Sequence, residues 1–120
     1  MKAGEFVGTL FLARDITHAA HLNTRSYAKH MALNTFYREI VDLADSFAEA
    51  YQGRYGLIGS IPLQAAKKQA NVADFLQAQL SAIEAGRYEV CNKAETALQN
   101  IIDEVVALYL STLYKLKFLT

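Results

Sequence analysis

The sequence predicts an all-α domain, a four-helix bundle with a central crossover segment between its second and third helices. Three observations predict it: long stretches with apolar residues every three or four positions, little loop material, and repeated helix-start signals. Only six Gly and one Pro occur in 120 residues, which leaves few breaks between helices. A chain of this length encloses one core, so residues 1–120 form a single domain. No internal repeat, low-complexity tract or linker divides it.

The first helix is expected from about Gly4 to Leu22, where Phe6, Leu10, Ala13 and Ala20 recur at helical spacing. Asn23-Thr24-Arg25-Ser26 is a polar break, and Ser26 is placed to cap the second helix. That helix, about Tyr27 to Gln52, has the clearest stripe: Leu33, Phe36, Ile40, Ala44, Phe47 and Tyr51 share one face. Lys29, Arg38, Glu39 and Asp42 lie off it. Gly53 is the expected stop, since glycine tolerates positive φ.

From Arg54 to Gln69 the glycines and Pro62 break any long helix. This stretch reads as the crossover, or as a short side helix beginning at Pro62. A third helix opens near Asn71, with Asp74 in capping-box-like spacing, and runs to about Arg87. Asn92 and Glu95 repeat the signal, and a fourth helix extends from there to roughly Lys117. Its apolar residues, from Leu98 to Leu116, cover more than one face, which predicts a partner subunit or a wholly buried helix. Two long early helices with a crossover behind them describe a ferritin-like bundle, with a plain up-down bundle as the alternative. Periodicity does not separate the two.

Apolar residues make up 52% of the chain and charged residues 20%. Surface dominates volume at this size, so part of that apolar content is expected at interfaces of a homo-oligomer. Twelve basic and twelve acidic side chains cancel, and the pI is about 6.8. Such a chain lacks the net field that non-specific nucleic-acid binding uses. Cys91 is the sole cysteine, so no internal disulfide forms, which fits a reducing cytoplasm. The run Phe6 to Ala13 is too short to span a bilayer and lacks the flanks of a signal peptide. No membrane partner and a cytoplasmic location are therefore expected.

All three histidines fall between positions 18 and 30. Asp15, His18 and His21 recur every three residues and span an arc of roughly 120° on the first helix. Val7, Leu10 and Phe11 project into the same arc, so these polar groups need partners. A metal ion would serve, and so would an Asp15–His18 hydrogen bond or another polar group. On the second helix, Asp45 and Glu49 stand one turn apart on one face. His30 lies about four turns before them, so one helix does not gather all three around one ion. A site that uses them all needs a second chain. Paired acids at this spacing also serve as an ordinary solvated helix edge.

The spacing of His30, Asp45 and Glu49 resembles the ferroxidase segment of Dps proteins, the ferritin-like family that protects DNA in starved bacteria. The stretch Ile16-Thr17-His18-Ala19-Ala20-His21-Leu22-Asn23 resembles the end of their first helix. The chain looks closer still to small ferritin-like proteins encoded by bacteriophages. Usable motifs cover positions 10 to 56. The resemblance implies a shell of bundles in which two histidines of one subunit and an Asp and Glu of its two-fold partner bind iron.

On this resemblance His30, Asp45 and Glu49 are metal ligands. The first-helix ligand is His21 by local context or His18 by interval, and Asp15 orients an imidazole from behind. Ferrous iron would be bound and oxidised there. Leu22 stands where the family has tryptophan, and no basic N-terminal extension of the kind many relatives use on DNA precedes the first helix. DNA as a partner therefore rests on the family alone. For a phage-encoded chain the expected place is the host cytoplasm or the virion. The competing expectation is a metal-free structural or interaction protein that keeps the bundle for assembly.

The di-iron ferritin pattern is absent, because no Glu here has a His three residues later. Gly-rich phosphate loops, paired-cysteine zinc motifs and nucleophile elbows are absent too.

Overall fold

The computed structural model describes residues Met1–Thr120. Four helices carry the chain: α1 (Ala3–Asn23), α2 (Tyr27–Tyr55), α3 (Val72–Val90) and α4 (Thr96–Phe118). No strand is present. Helix α1 packs on α2 and α3, and α4 packs on the same two, so α1/α4 and α2/α3 are the diagonal pairs.

The directions are set by the connections. Thr24 to Ser26 is too short for anything but an antiparallel α1/α2 hairpin, and Cys91 to Glu95 makes the same of α3 and α4. The start of α3 lies with Ala19, Asn23 and the end of α1. Its far end meets Met1, whose ammonium pairs with Glu89 at 3.0 Å. Helix α3 therefore runs antiparallel to α1 and parallel to its diagonal partner α2. Gly56 to Asn71 joins that diagonal pair by running along the outside of α1 without helix or strand. The side helix expected at Pro62 does not form. With almost no burial along this segment, nothing offsets the cost of nucleating one.

The crossover lies close because α1 offers glycine where it passes. A Cβ on Gly8 would collide with the carbonyl oxygen of Pro62. Gly4, one turn earlier, faces Ile58 and Ser60. No side chain other than hydrogen fits at Gly8.

The core is one cluster that joins the predicted stripes of α1 and α2 to apolar faces of α3 and α4. Phe6, Leu10 and Ala13 of α1 meet Leu33, Phe36, Ile40 and Phe47 of α2, with Leu76, Leu80 and Ile83 of α3 and Ile102, Val105 and Tyr109 of α4. Phe6 and Phe47 pack edge-to-face at 4.8 Å, and Phe36 and Tyr109 do so at 5.1 Å. The buried Tyr109 hydroxyl donates to Gln79 at 2.7 Å, and the Gln79 amide donates to the Thr9 carbonyl at 3.1 Å. This chain of polar groups crosses α4, α3 and α1 with every member satisfied.

Element ends differ from expectation in three places. Helix α2 passes through Gly53 and stops before Gly56, where φ is 92°; the glycine that ends the helix is the one where the chain turns. Helix α3 does open at the Asn71 cap, whose side chain accepts from Asp74 N, but it continues to Val90. Asn92 bonds the amide of Ala94 and makes a turn, so α4 starts only at Thr96. Helix α4 is not wholly buried. Leu110, Tyr114 and Phe118 form an exposed apolar stripe, each more than half accessible.

Candidate functional site

The turn at Thr24–Ser26 brings the end of α1 beside the first turn of α2, and with it all three histidines. Thr24 Oγ1 accepts from Ser26 N, and Ser26 Oγ accepts from Lys29 N as the cap of α2. His21 then faces His30 across the hairpin. Each ring nitrogen Nδ1 donates to the other residue's backbone carbonyl, both at 2.8 Å. The acceptors are carbonyls, so the bonds place a proton on Nδ1 of both rings. The rings stack with centroids 3.7 Å apart.

One of these bonds also completes a helix end. The carbonyl of His21 belongs to the last turn of α1, where the helix has no further amide to donate to it. His30 supplies the missing donor from α2.

His18 joins the cluster by packing. It stacks on Tyr37 at 4.2 Å and stands 6.2 Å from His21 between centroids. His21 is buried, while His18 and His30 are half-buried. No buried side-chain nitrogen or oxygen of the chain lacks a partner. The Nε2 atoms of His21 and His30 make no hydrogen bond within the chain. The pair thus presents two imidazoles of fixed tautomer whose ligating nitrogens are free.

The other expected ligands lie elsewhere. Asp45 and Glu49 are exposed on α2, outside any of the chain's ion pairs. At 1.5 Å per residue they stand about 22 Å and more along the helix from His30. Within one chain no group of three or more His, Cys, Asp or Glu is placed to hold a metal ion. Asp15 is exposed, and its carboxylate accepts from Arg14 at 2.9 Å. In this chain the task of orienting imidazoles falls to backbone carbonyls rather than to Asp15.

A second polar cluster is not apparent from the sequence. Arg87 donates to the side-chain and main-chain oxygens of Gln99 and to Asp103 at 2.6 Å. The Gln99 amide donates to the carbonyl and thiol of Cys91. Burial pushes the Cys91 thiol above its ordinary pKa, with the Gln99 bond opposing. At the other side of the α3–α4 turn, Glu95 accepts from Tyr55 and pairs with Arg54 at 3.2 Å. These bonds tie the end of α2 to the start of α4.

A protein of Enterobacteria phage T4, described as an uncharacterized 14.6 kDa protein in the mobD-ri intergenic region, is 31% identical to this chain over 117 residues. The match covers 96% of this chain and 88% of the phage protein. No solved structure matches significantly. A family model matches residues 21–116, a span that includes His21, His30, Asp45 and Glu49 and begins beyond Asp15 and His18. Neither match is described as a Dps protein or a ferritin. The chain belongs to the family whose model spans residues 21–116, described as a family of unknown function (DUF5856).

Proposed function

We propose that the protein is a ferritin-like, Dps-like iron-handling protein whose site is completed by two copies of the chain. His21 and His30, with His18 beside them, supply imidazole nitrogen from one copy. Asp45 and Glu49 supply carboxylate oxygen from the other. The observation that carries this reading is the reciprocal His21–His30 bonding, which fixes both tautomers and leaves each Nε2 free.

The donor set suits ferrous iron, with carboxylates favouring the ferric product. It fits only as a pair of copies, because one chain holds its nitrogens and oxygens at separate stations on α2. Iron bound there is a substrate that loses an electron to dioxygen or peroxide. This chain's residues bind it, and the two carbonyls hold the imidazoles in orientation. Two antiparallel hairpins joined across a diagonal by one long crossover support the ferritin-like reading. The phage relative supports a place in the infected host's cytoplasm or in the virion.

The test adds ferrous iron aerobically to the apo-protein and monitors ferric absorbance, with Asp45→Ala as control. Wild type should oxidise iron faster than buffer, and the variant should not. Equal rates in wild type and buffer would eliminate the enzyme reading.

A second reading is a metal-free interaction protein that uses the bundle for assembly. It is favoured by the exposed stripe of Leu110, Tyr114 and Phe118 on α4. Under that reading a defined oligomer forms in light scattering without metal, and Leu110→Ser with Tyr114→Ser dissolves it.

A further inference from the structure

A cavity of about 780 Å³ opens at the end of the bundle that carries the histidines, between the tail of the crossover and the ends of α1 and α4. Its size falls in the range of small-molecule sites, roughly 300–1,000 Å³. The floor is apolar: Ile16, Leu33 and Leu116 are all buried core-side residues that line it. The walls are basic. Lys29 from α2, Lys67 and Lys68 from the crossover and Lys117 from α4 converge there from three separate segments.

None of these lysines is neutralised. All four ion pairs of the chain use arginine or the N-terminus as the cation. Of the two carboxylates in the lining, Asp15 is committed to Arg14, which leaves Asp74 alone against four ammonium groups. This local excess stands out in a chain whose charges otherwise cancel. Like charges brought together by folding are destabilising unless something answers them.

We propose that this cavity binds a small amphiphilic anion, one that carries a phosphate, sulfonate or carboxylate head on an apolar body. The lysines take the head and the Ile16–Leu33–Leu116 floor takes the body. The concave shape and balanced net charge favour such a ligand over an extended polyanion, which would need a continuous basic surface. A nucleoside monophosphate and a medium-chain fatty acid share this chemistry.

The probe is anilinonaphthalene sulfonate, titrated by fluorescence into wild type and three variants. Lys67→Glu with Lys68→Glu reverses the rim on an exposed segment. Ala19→Trp fills the cavity from an exposed lining position. Leu110→Ser with Tyr114→Ser removes the unrelated apolar stripe on α4. We expect one site in wild type, weakened about tenfold or more by the first two variants and unchanged by the third. Displacement by adenosine monophosphate or by decanoate supports the proposal and identifies the body. It is overturned if the α4 variant alone abolishes binding, if rim and filling variants bind as wild type does, if neither competitor displaces the probe, or if inorganic phosphate displaces it as well as either. Thermal melts confirm that each variant is folded.

Discussion

His21 and His30 donate to each other's carbonyls at the same distance, 2.8 Å, with their rings stacked between the two bonds. The arrangement joins two helices, closes the end of α1 and sets two tautomers at once. In nitrogen-15 spectra of the folded protein, both rings should show a protonated Nδ1 and an unprotonated Nε2 in the neutral form. Finding the proton on Nε2 of either ring would remove the basis for treating the pair as ligand-ready. Replacing His30 by Ala strips the donor from the orphan carbonyl of His21, and should cost about 1–3 kcal/mol in urea unfolding.

Gly8 and Gly53 are both helical glycines with opposite surroundings. A methyl at Gly8 collides with the Pro62 carbonyl, whereas a methyl at Gly53 meets nothing within 4 Å. Helix propensity alone favours alanine at both by about 1 kcal/mol. At Gly53 that gain is realised, so Gly53→Ala should raise stability by about 0.5–1 kcal/mol. At Gly8 the backbone must move, and Gly8→Ala should lower stability by about 1–3 kcal/mol despite the propensity. Chemical denaturation of the two variants side by side checks the sign at each position.

Tyr109 is wholly buried, and burial holds its phenol protonated far above the ordinary value of 10.0. Below pH 10 the hydroxyl is neutral in both folded and unfolded chains, and the stabilisation is fully present. Above it the unfolded chain releases a proton that the folded chain retains, so stability falls by about 1.4 kcal/mol per pH unit from this group. Tyr109→Phe abolishes that slope. It also leaves the Gln79 side-chain oxygen unpaired, at a cost of about 1–2 kcal/mol at neutral pH. Unfolding free energies measured between pH 8 and pH 11 should therefore converge for the two proteins as pH rises.

The α2 stripe and the cap at Asn71 were legible in the sequence because each depends on residues within a few positions of one another. Gly53 misled because a glycine stops a helix only where the chain turns, and that is decided by where the crossover must go. Gly8 carried a signal, a glycine one turn after Gly4 inside a helix, but its meaning rests on Pro62, distant in sequence. His18 and His21 were legible on one arc of α1, and the separation of His30 from Asp45 was evident from helix geometry. That carbonyls would orient them instead of Asp15 was not, since it depends on the tight turn that sets α1 against α2.

Sharing a site between copies has a consequence that no single-chain site reproduces. Take one variant with His21→Ala and His30→Ala and a second with Asp45→Ala and Glu49→Ala. Each alone lacks half of every site, and neither should oxidise iron. In a two-fold pair each site takes its imidazoles from one copy and its acids from the other. A mixed pair then holds one site with both halves altered and one with both intact. Equal amounts, unfolded together and refolded, should recover about a quarter of the wild-type rate if copies pair at random. Activity that stays at zero in the mixture, while light scattering shows mixed pairs, would mean that imidazoles and acids never meet across an interface. Activity in either variant alone would place the chemistry away from these residues altogether.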